Sequence, residues 1–179
     1  MIIVVSDVHL AERDDRKTKK DDNKFLEFLS YISDNKLQDG GELVLLGDIL
    51  DLWRRDYVNA MMESKPIISK LMEMKMKEKV KIHYLAGNHD FHILRMSEIY
   101  GNNYPFRVAK ELRLTEAGRR YLFIHGYQLE VLANPYYKSM SAYETFAEGL
   151  CLAGDETGNA ADKLWETYGL SLIHISEPT

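Results

Sequence analysis

An α/β fold, with a parallel sheet under covering helices, is what the sequence predicts, and three features predict it. Short apolar runs recur at residues 2–5, 43–46 and 82–86, and each ends in a polar cluster. Segments with helical spacing of apolar residues separate them. Strand and helix alternating in this way call for parallel pairing, and the ligand crevice of such a sheet lies at the carboxyl ends of its strands.

Taken in order, the first run leads straight into Asp7, Val8 and His9, so the first strand presents polar side chains at its end. A mixed-charge loop is expected over 12–22, followed by a helix in which Phe25, Leu26, Phe28, Leu29 and Ile32 share one face, up to the Gly40-Gly41 break. The second strand, 43–46, opens onto Gly47-Asp48. Pro66 interrupts a polar, methionine-rich stretch. Ile67, Ile68, Leu71 and Met72 then mark a helix with proline at its start, where the fixed φ of proline is tolerated. The third strand ends at Gly87-Asn88-His89-Asp90. Leu112 to Leu114, a turn at Gly118-Arg119-Arg120 and residues 121–124 predict a hairpin whose second strand ends in His125-Gly126. Residues 136–152 and 160–168 are expected to be helical, with a loop over 154–158 between them. One domain without a linker is expected over 1–170, and 171–179 reads as a non-native, read-through tail of a truncated gene.

Composition narrows the function classes. A hydrophobic content of 45% supports a real core and excludes disordered and fibrous chains. The balance of 23 basic against 28 acidic residues leaves a net charge of −5, so the chain as a whole does not attract a polyanion and nucleic acid is not an expected partner. The single cysteine, Cys151, cannot make an intramolecular disulfide, and the N-terminus lacks a basic region followed by a long apolar one, which points to a cytoplasmic setting. No apolar run reaches the roughly 18 to 20 residues of a transmembrane segment. Oligomeric state is left open.

The strand ends together supply Asp7, His9, Asp48, Asp51, Asn88, His89, Asp90 and His125. Carboxylates gathered in one crevice are costly unless paired, hydrogen-bonded or neutralised by metal, and no lysine or arginine is expected to flank these turns. Two divalent cations would supply the missing charge, in a two-metal site that needs one carboxylate to bridge the ions, and Asp48 in its glycine turn suits that place. Asp7 and His9 stand at i and i+2, so in extended backbone both reach one side. Gly47 and Gly87 allow turns that a Cβ would hinder.

The blocks Asp7-Val8-His9, Gly47-Asp48-Ile49-Leu50-Asp51, Gly87-Asn88-His89-Asp90 and His125-Gly126 resemble, in this order, the calcineurin-like metallophosphoesterase family. The text around them, Ser6 to Leu10, Leu52-Trp53 and Phe91, is closest to its UDP-2,3-diacylglucosamine hydrolase-like branch. The resemblance implies a four-layer α/β/β/α sandwich, its second sheet incomplete in this chain. It also implies hydrolysis of a phosphoester or pyrophosphate bond by a metal-bridging hydroxide, on a phosphorylated small molecule or nucleotide sugar. Asp7, His9 and Asp48 would bind one metal, and Asp48, Asn88 and His125 the other. His89 would be the catalytic residue over the phosphate oxygens, as general acid or charge stabiliser. Mn²⁺ is the expected ion, with Fe or Zn²⁺ also suited to mixed oxygen and imidazole donors.

Other readings stand beside these. Asp51 and Asp90 are expected to support the turns from behind the ligands. His83 and His92 are read as packing or surface histidines. Trp53 and Met61, Met62, Met72, Met74 and Met76 are read as core filling. The mixed-charge run is read as a solvated loop, with Arg13 and Lys17 as further candidates for phosphate contact. The family's closing G-H-x-H block is absent after His125, and His174 has neither its glycine nor its second histidine, so both metal sites are expected to be incomplete and the chain as written to bind metal weakly and turn over poorly. A DNA-processing nuclease of the same family, or a non-catalytic metal-binding module, are the alternative functions.

Overall fold

The computed structural model describes residues 1–11, 18–77, 80–134 and 136–167. Its elements run β1 (Ile2–Val5), α1 (Thr18–Asn35), β2 (Gly41–Leu46), α2 (Tyr57–Glu63), α3 (Lys65–Lys77), β3 (Val80–Leu85), α4 (His92–Tyr100), β4 (Val108–Ala109), β5 (Glu111–Glu116), β6 (Arg119–Ile124), α5 (Tyr127–Ala133) and α6 (Met140–Thr167). The expected α/β architecture is present. Strands β1 to β4 form one sheet in that spatial order with every pair parallel, while β5 and β6 form a separate antiparallel pair.

Alternation along the strands explains how one sheet is covered twice. Leu43, Leu45, Ile82 and Tyr84 join a core with Phe25, Leu29 and Ile32 of α1 and Ile67, Leu71 and Met74 of α3. Helix α1 packs on α3, and α3 on β3. Val44 and Leu85, at the intervening positions, are also fully buried. Residues enclosed on both faces must be apolar, which is why Leu43 to Leu45 read as an unbroken apolar run, whereas β3 admits Lys81 and His83 where its second face is open. Each leucine so buried contributes about 1.5–3 kcal/mol of hydrophobic stabilisation.

The hairpin forms where expected, with Glu116 paired to Arg119. Its loop is Ala117-Gly118, one residue earlier than the sequence suggested, and both residues have positive φ, 49° and 76°. That is the mirror-image two-residue turn whose twist suits antiparallel strands. The Met1 amino group lies 2.6 Å from Glu116, tying the hairpin to the first strand.

Several expectations are corrected. The loop over 154–158 lies inside α6, which begins at Met140 and not at residue 136. A glycine in a helix interior costs only about 1 kcal/mol relative to alanine, and a long helix absorbs it. Tyr168, the expected end of that helix, lies outside the described residues. Helix α1 starts at Thr18, inside the supposed loop, whereas Arg13 and Lys17 lie outside the described residues, as do His174 and the whole 171–179 tail. Helices α2, α4 and α5, of 7, 9 and 7 residues, and the two-residue strand β4 were not foreseen, being shorter than the window over which a periodicity can be read. Of the methionines, Met74 is core, Met61 and Met72 pack against it, and Met62 and Met76 are exposed. Among the described residues no helix is long and apolar enough to cross a membrane.

Candidate metal centre

Every polar cluster follows a strand end, and the backbone stitches them together. Asp7 N donates to Gly47 O at 3.1 Å, His9 N to Asp48 O at 3.0 Å, and Leu52 N to His89 O at 3.0 Å. Asp7 and His9, expected in extended backbone, lie beyond the end of β1 and have φ of 55° and 51°, and Asp48 has 53°. Left-handed backbone at non-glycine residues costs of order 1–3 kcal/mol each and gathers at functional sites. Here it turns donors out of adjoining segments toward one another: ligand atoms of Asp7, His9 and Asp48 lie within 4.8 Å of each other, as do those of His9, Asp51 and His89.

The glycines are sterically required. Gly47 has φ of 82°, and a Cβ there would stand 2.6 Å from His125 Cγ and 2.9 Å from Gly87 Cα. At Gly87 a Cβ would overlap Asp48 Oδ1 and stand 2.5 Å from the Asp48 backbone nitrogen. The two turns touch, and this contact brings Asp48 and His125 together.

Asp48 is buried, yet both its oxygens are engaged: Oδ1 accepts from His89 N at 2.8 Å, and Oδ2 lies 3.2 Å from His125 Nε2. Burial alone would favour its neutral form, but hydrogen bonding to His125 and the charges of His125, His89 and His9 override it and hold the carboxyl below its ordinary range. His125 responds in the opposite sense. Burial works against the imidazolium, and the hydrogen bond and charge of Asp48, the Leu46 carbonyl and the Asp7 charge outweigh burial, raising the group to about 9. His125 Nδ1 donates to Leu46 O at 2.7 Å, which directs Nε2 to Asp48.

His125 has a folded pKa above its ordinary 6.5, so its contribution to stability is complete below about pH 6.5 and is lost as pH rises through about 9. Thermal unfolding of metal-free protein is expected to show a midpoint falling across that window. In His125→Asn the fall should flatten; an unchanged slope would refute the pairing.

Asp90 and Asp51 both bond to the turns around the cluster. Asp90 is fully buried; its Oδ2 accepts from Ile49 N at 2.8 Å and Tyr84 OH at 2.7 Å, and its Oδ1 from Gly87 N at 2.7 Å. Burial and the Asp48 charge raise its pKa. One carboxylate therefore closes the turns after β2 and β3 at once. Asp90→Ala would leave these donors buried and unpaired, each costing about 1–3 kcal/mol, so a loss of roughly 3–5 kcal/mol is expected in denaturant unfolding. A loss under about 1 kcal/mol would contradict this role.

Asp51 Oδ1 lies 3.0 Å from His89 Nδ1. Its Oδ2 is buried without a hydrogen bond, 3.8 Å from His9 Nδ1 and 3.6 Å from Arg54 Nη1. Burial opposes ionisation, but the hydrogen bond to His89 and the proximity of His9 keep Asp51 well below the usual carboxylate range. Arg54 corrects the expectation that no arginine flanks the turns. In the sequence it is merely a residue of the 53–56 segment, and only the bend after Asp51 carries it back.

Asn88 is half-buried in the same turn; its carbonyl lies 3.8 Å and that of His89 3.4 Å from the Cys151 thiol of α6. Trp53, read as core filling, is buried but stacks on His89 at 3.9 Å between ring centroids. A tryptophan two places after Asp51 was the available signal. His83 pairs with Glu42 at 2.5 Å away from the cluster, and His92 lies 3.7 Å from Glu148 on α6.

A parallel α/β sheet whose strand ends converge carboxylates and imidazoles defines a protein with a candidate metal centre. The calcineurin-like phosphoesterase family model matches residues 1–172, and the chain belongs to that family. It is also 27% identical over 143 residues to the UDP-2,3-diacylglucosamine hydrolase of Psychromonas ingrahamii, an overlap covering 77% of this chain and 51% of that protein. The chain thus spans about half the length of the curated relative it matches.

Proposed function

We propose that the chain carries the centre of a binuclear metal-dependent phosphoesterase that cleaves a phosphoester or pyrophosphate bond. The observation that carries this reading is the position of Asp48, which belongs to the Asp7–His9–Asp48 triad and stands 3.2 Å from His125 Nε2. A carboxylate between two donor sets is what a bridged pair of ions requires. The donor chemistry fits such ions. His125 gives its other nitrogen to a backbone carbonyl, the arrangement that orients most metal-bound histidines, and a Cβ at Gly47 or Gly87 would close the cradle. Asp7, His9 and Asp48 would hold one ion, and Asp48, Asn88 and His125 the other. When bound, divalent ions supply Lewis acidity toward a phosphoryl oxygen and lower the pKa of water.

The chain's own residues do the rest. Asp51 engages His89 Nδ1, leaving Nε2 as the nitrogen that can hold or deliver a proton at the phosphoryl oxygens or the leaving group. Asp90 keeps the turns after β2 and β3 in register. The β5–β6 pair is the start of the second sheet of a four-layer sandwich. The hydrolase relative supports a nucleotide-sugar diphosphate as the substrate class. The test is hydrolysis of an aryl phosphodiester and of a UDP-sugar with Mn²⁺, followed by phosphorus NMR. Turnover that vanishes with chelator and returns with metal is expected; turnover indifferent to chelator would defeat the proposal.

A further inference from the structure

We infer that Trp53 is a positioning residue, an aromatic clamp that sets the plane of the His89 imidazole; this rests on the phosphoesterase reading above. The Asp51 bond fixes only one atom of the ring, Nδ1. The torsion joining an imidazole to its Cβ is broad, so a ring held at one nitrogen still swings about that bond. A second restraint lies on its face. The Trp53 indole stacks there at 3.9 Å with an interplanar angle of 20°, while His9 meets His89 in an edge contact at 4.8 Å and 87°. Trp53 itself is 3% exposed and held by the core, so it cannot follow the ring as it turns.

Asp51 and Trp53 come from the same short segment, two residues apart. One turn thus grips the ring both at its nitrogen and on its face, and Nε2 is left on one line of approach. Proton transfer needs heavy atoms within about 2.6–3.2 Å, and a misplacement near 1 Å costs about 10²-fold. A residue that only filled the core would change stability without distinguishing aromatic from aliphatic replacements.

Two experiments on the full chain test the inference. The chain has two tryptophans, so in a Trp165→Phe background Trp53 emits alone. An imidazole in stacking contact quenches indole emission, and adding His89→Gln to metal-free protein should brighten it; unchanged emission overturns the contact. For turnover of an aryl phosphodiester with Mn²⁺, Trp53→Leu is expected to lower kcat by about 10- to 100-fold with KM within about twofold, whereas Trp53→Phe keeps kcat within about fivefold. Equal loss in both variants, or a loss confined to KM, overturns the clamp. So does wild-type kcat in Trp53→Leu when His89→Ala is inactive, and that result leaves the phosphoesterase reading standing. Full turnover in His89→Ala overturns that reading and the inference with it.

Discussion

Asp48→Asn is expected to abolish Mn²⁺-supported turnover, with kcat/KM falling at least about 10³-fold, near 4 kcal/mol of transition-state stabilisation. The substitution is chosen for what it keeps. Asparagine has the same size, can accept from His89 N, and tolerates the left-handed φ of 53° better than alanine would. What it loses is the negative charge beside His125, His9 and His89, which the site uses to gather positive charge. Calorimetric titration with Mn²⁺ should show affinity reduced by at least about 10²-fold while the circular dichroism spectrum is unchanged. If Asp48→Asn binds Mn²⁺ within threefold of wild type, Asp48 is no bridge.

Gly87→Ala should be nearly as damaging although it adds one methyl group. The new Cβ would overlap Asp48 Oδ1 and press on the Asp48 backbone nitrogen, which no rotamer change can move. Overpacking of this kind costs about 1–3 kcal/mol, which for a domain of this size lowers the melting midpoint by roughly 2–12 °C. The larger effect is on function. Relief requires the turns after β2 and β3 to separate, carrying Asp48 away from His125, and a shift near 1 Å should reduce turnover about 10²-fold or more. Ala86→Gly, one residue earlier in the same buried segment, removes a methyl group and serves as the control. A Gly87→Ala variant with wild-type activity and melting temperature would show that the two turns do not depend on their close approach.

The parts of the fold legible in the sequence are those with a strong local signal. The strands around Leu43, Leu45, Ile82 and Tyr84 announce themselves because the buried positions along them exclude polar residues, leaving Lys81 and His83 only at the less covered ones. The α3 start at Lys65, with Pro66 in its first turn, follows from proline's fixed φ and from the first-turn N–H groups having no intrahelical partner. The α6 interior misled because glycine's propensity penalty is a weak, local term that a long helix overrides. Strand β4 has two residues and exists only because β3 offers an open edge beside it, so no local pattern could reveal it.

The candidate site divides in the same way. Asp7, His9, Asp48, Asn88 and His89 were visible as polar residues after strands, because a parallel sheet delivers its strand ends to one crevice, while His125 follows a strand of the antiparallel pair and reaches Asp48 only through packing. Which of them touch is another matter. That Asp90 serves two turns, that Arg54 comes back to Asp51, and that Trp53 lies on His89 depend on contacts between segments far apart in the chain or on a bend whose direction the core decides. The sequence by itself determined the donor types and the end of the sheet on which they gather, since both follow from strand order and side-chain chemistry. Only the tertiary structure decided their pairing, because the contact of Gly47 with Gly87, at separations where a single Cβ would not fit, is a property of packing between strands and is written in neither segment alone.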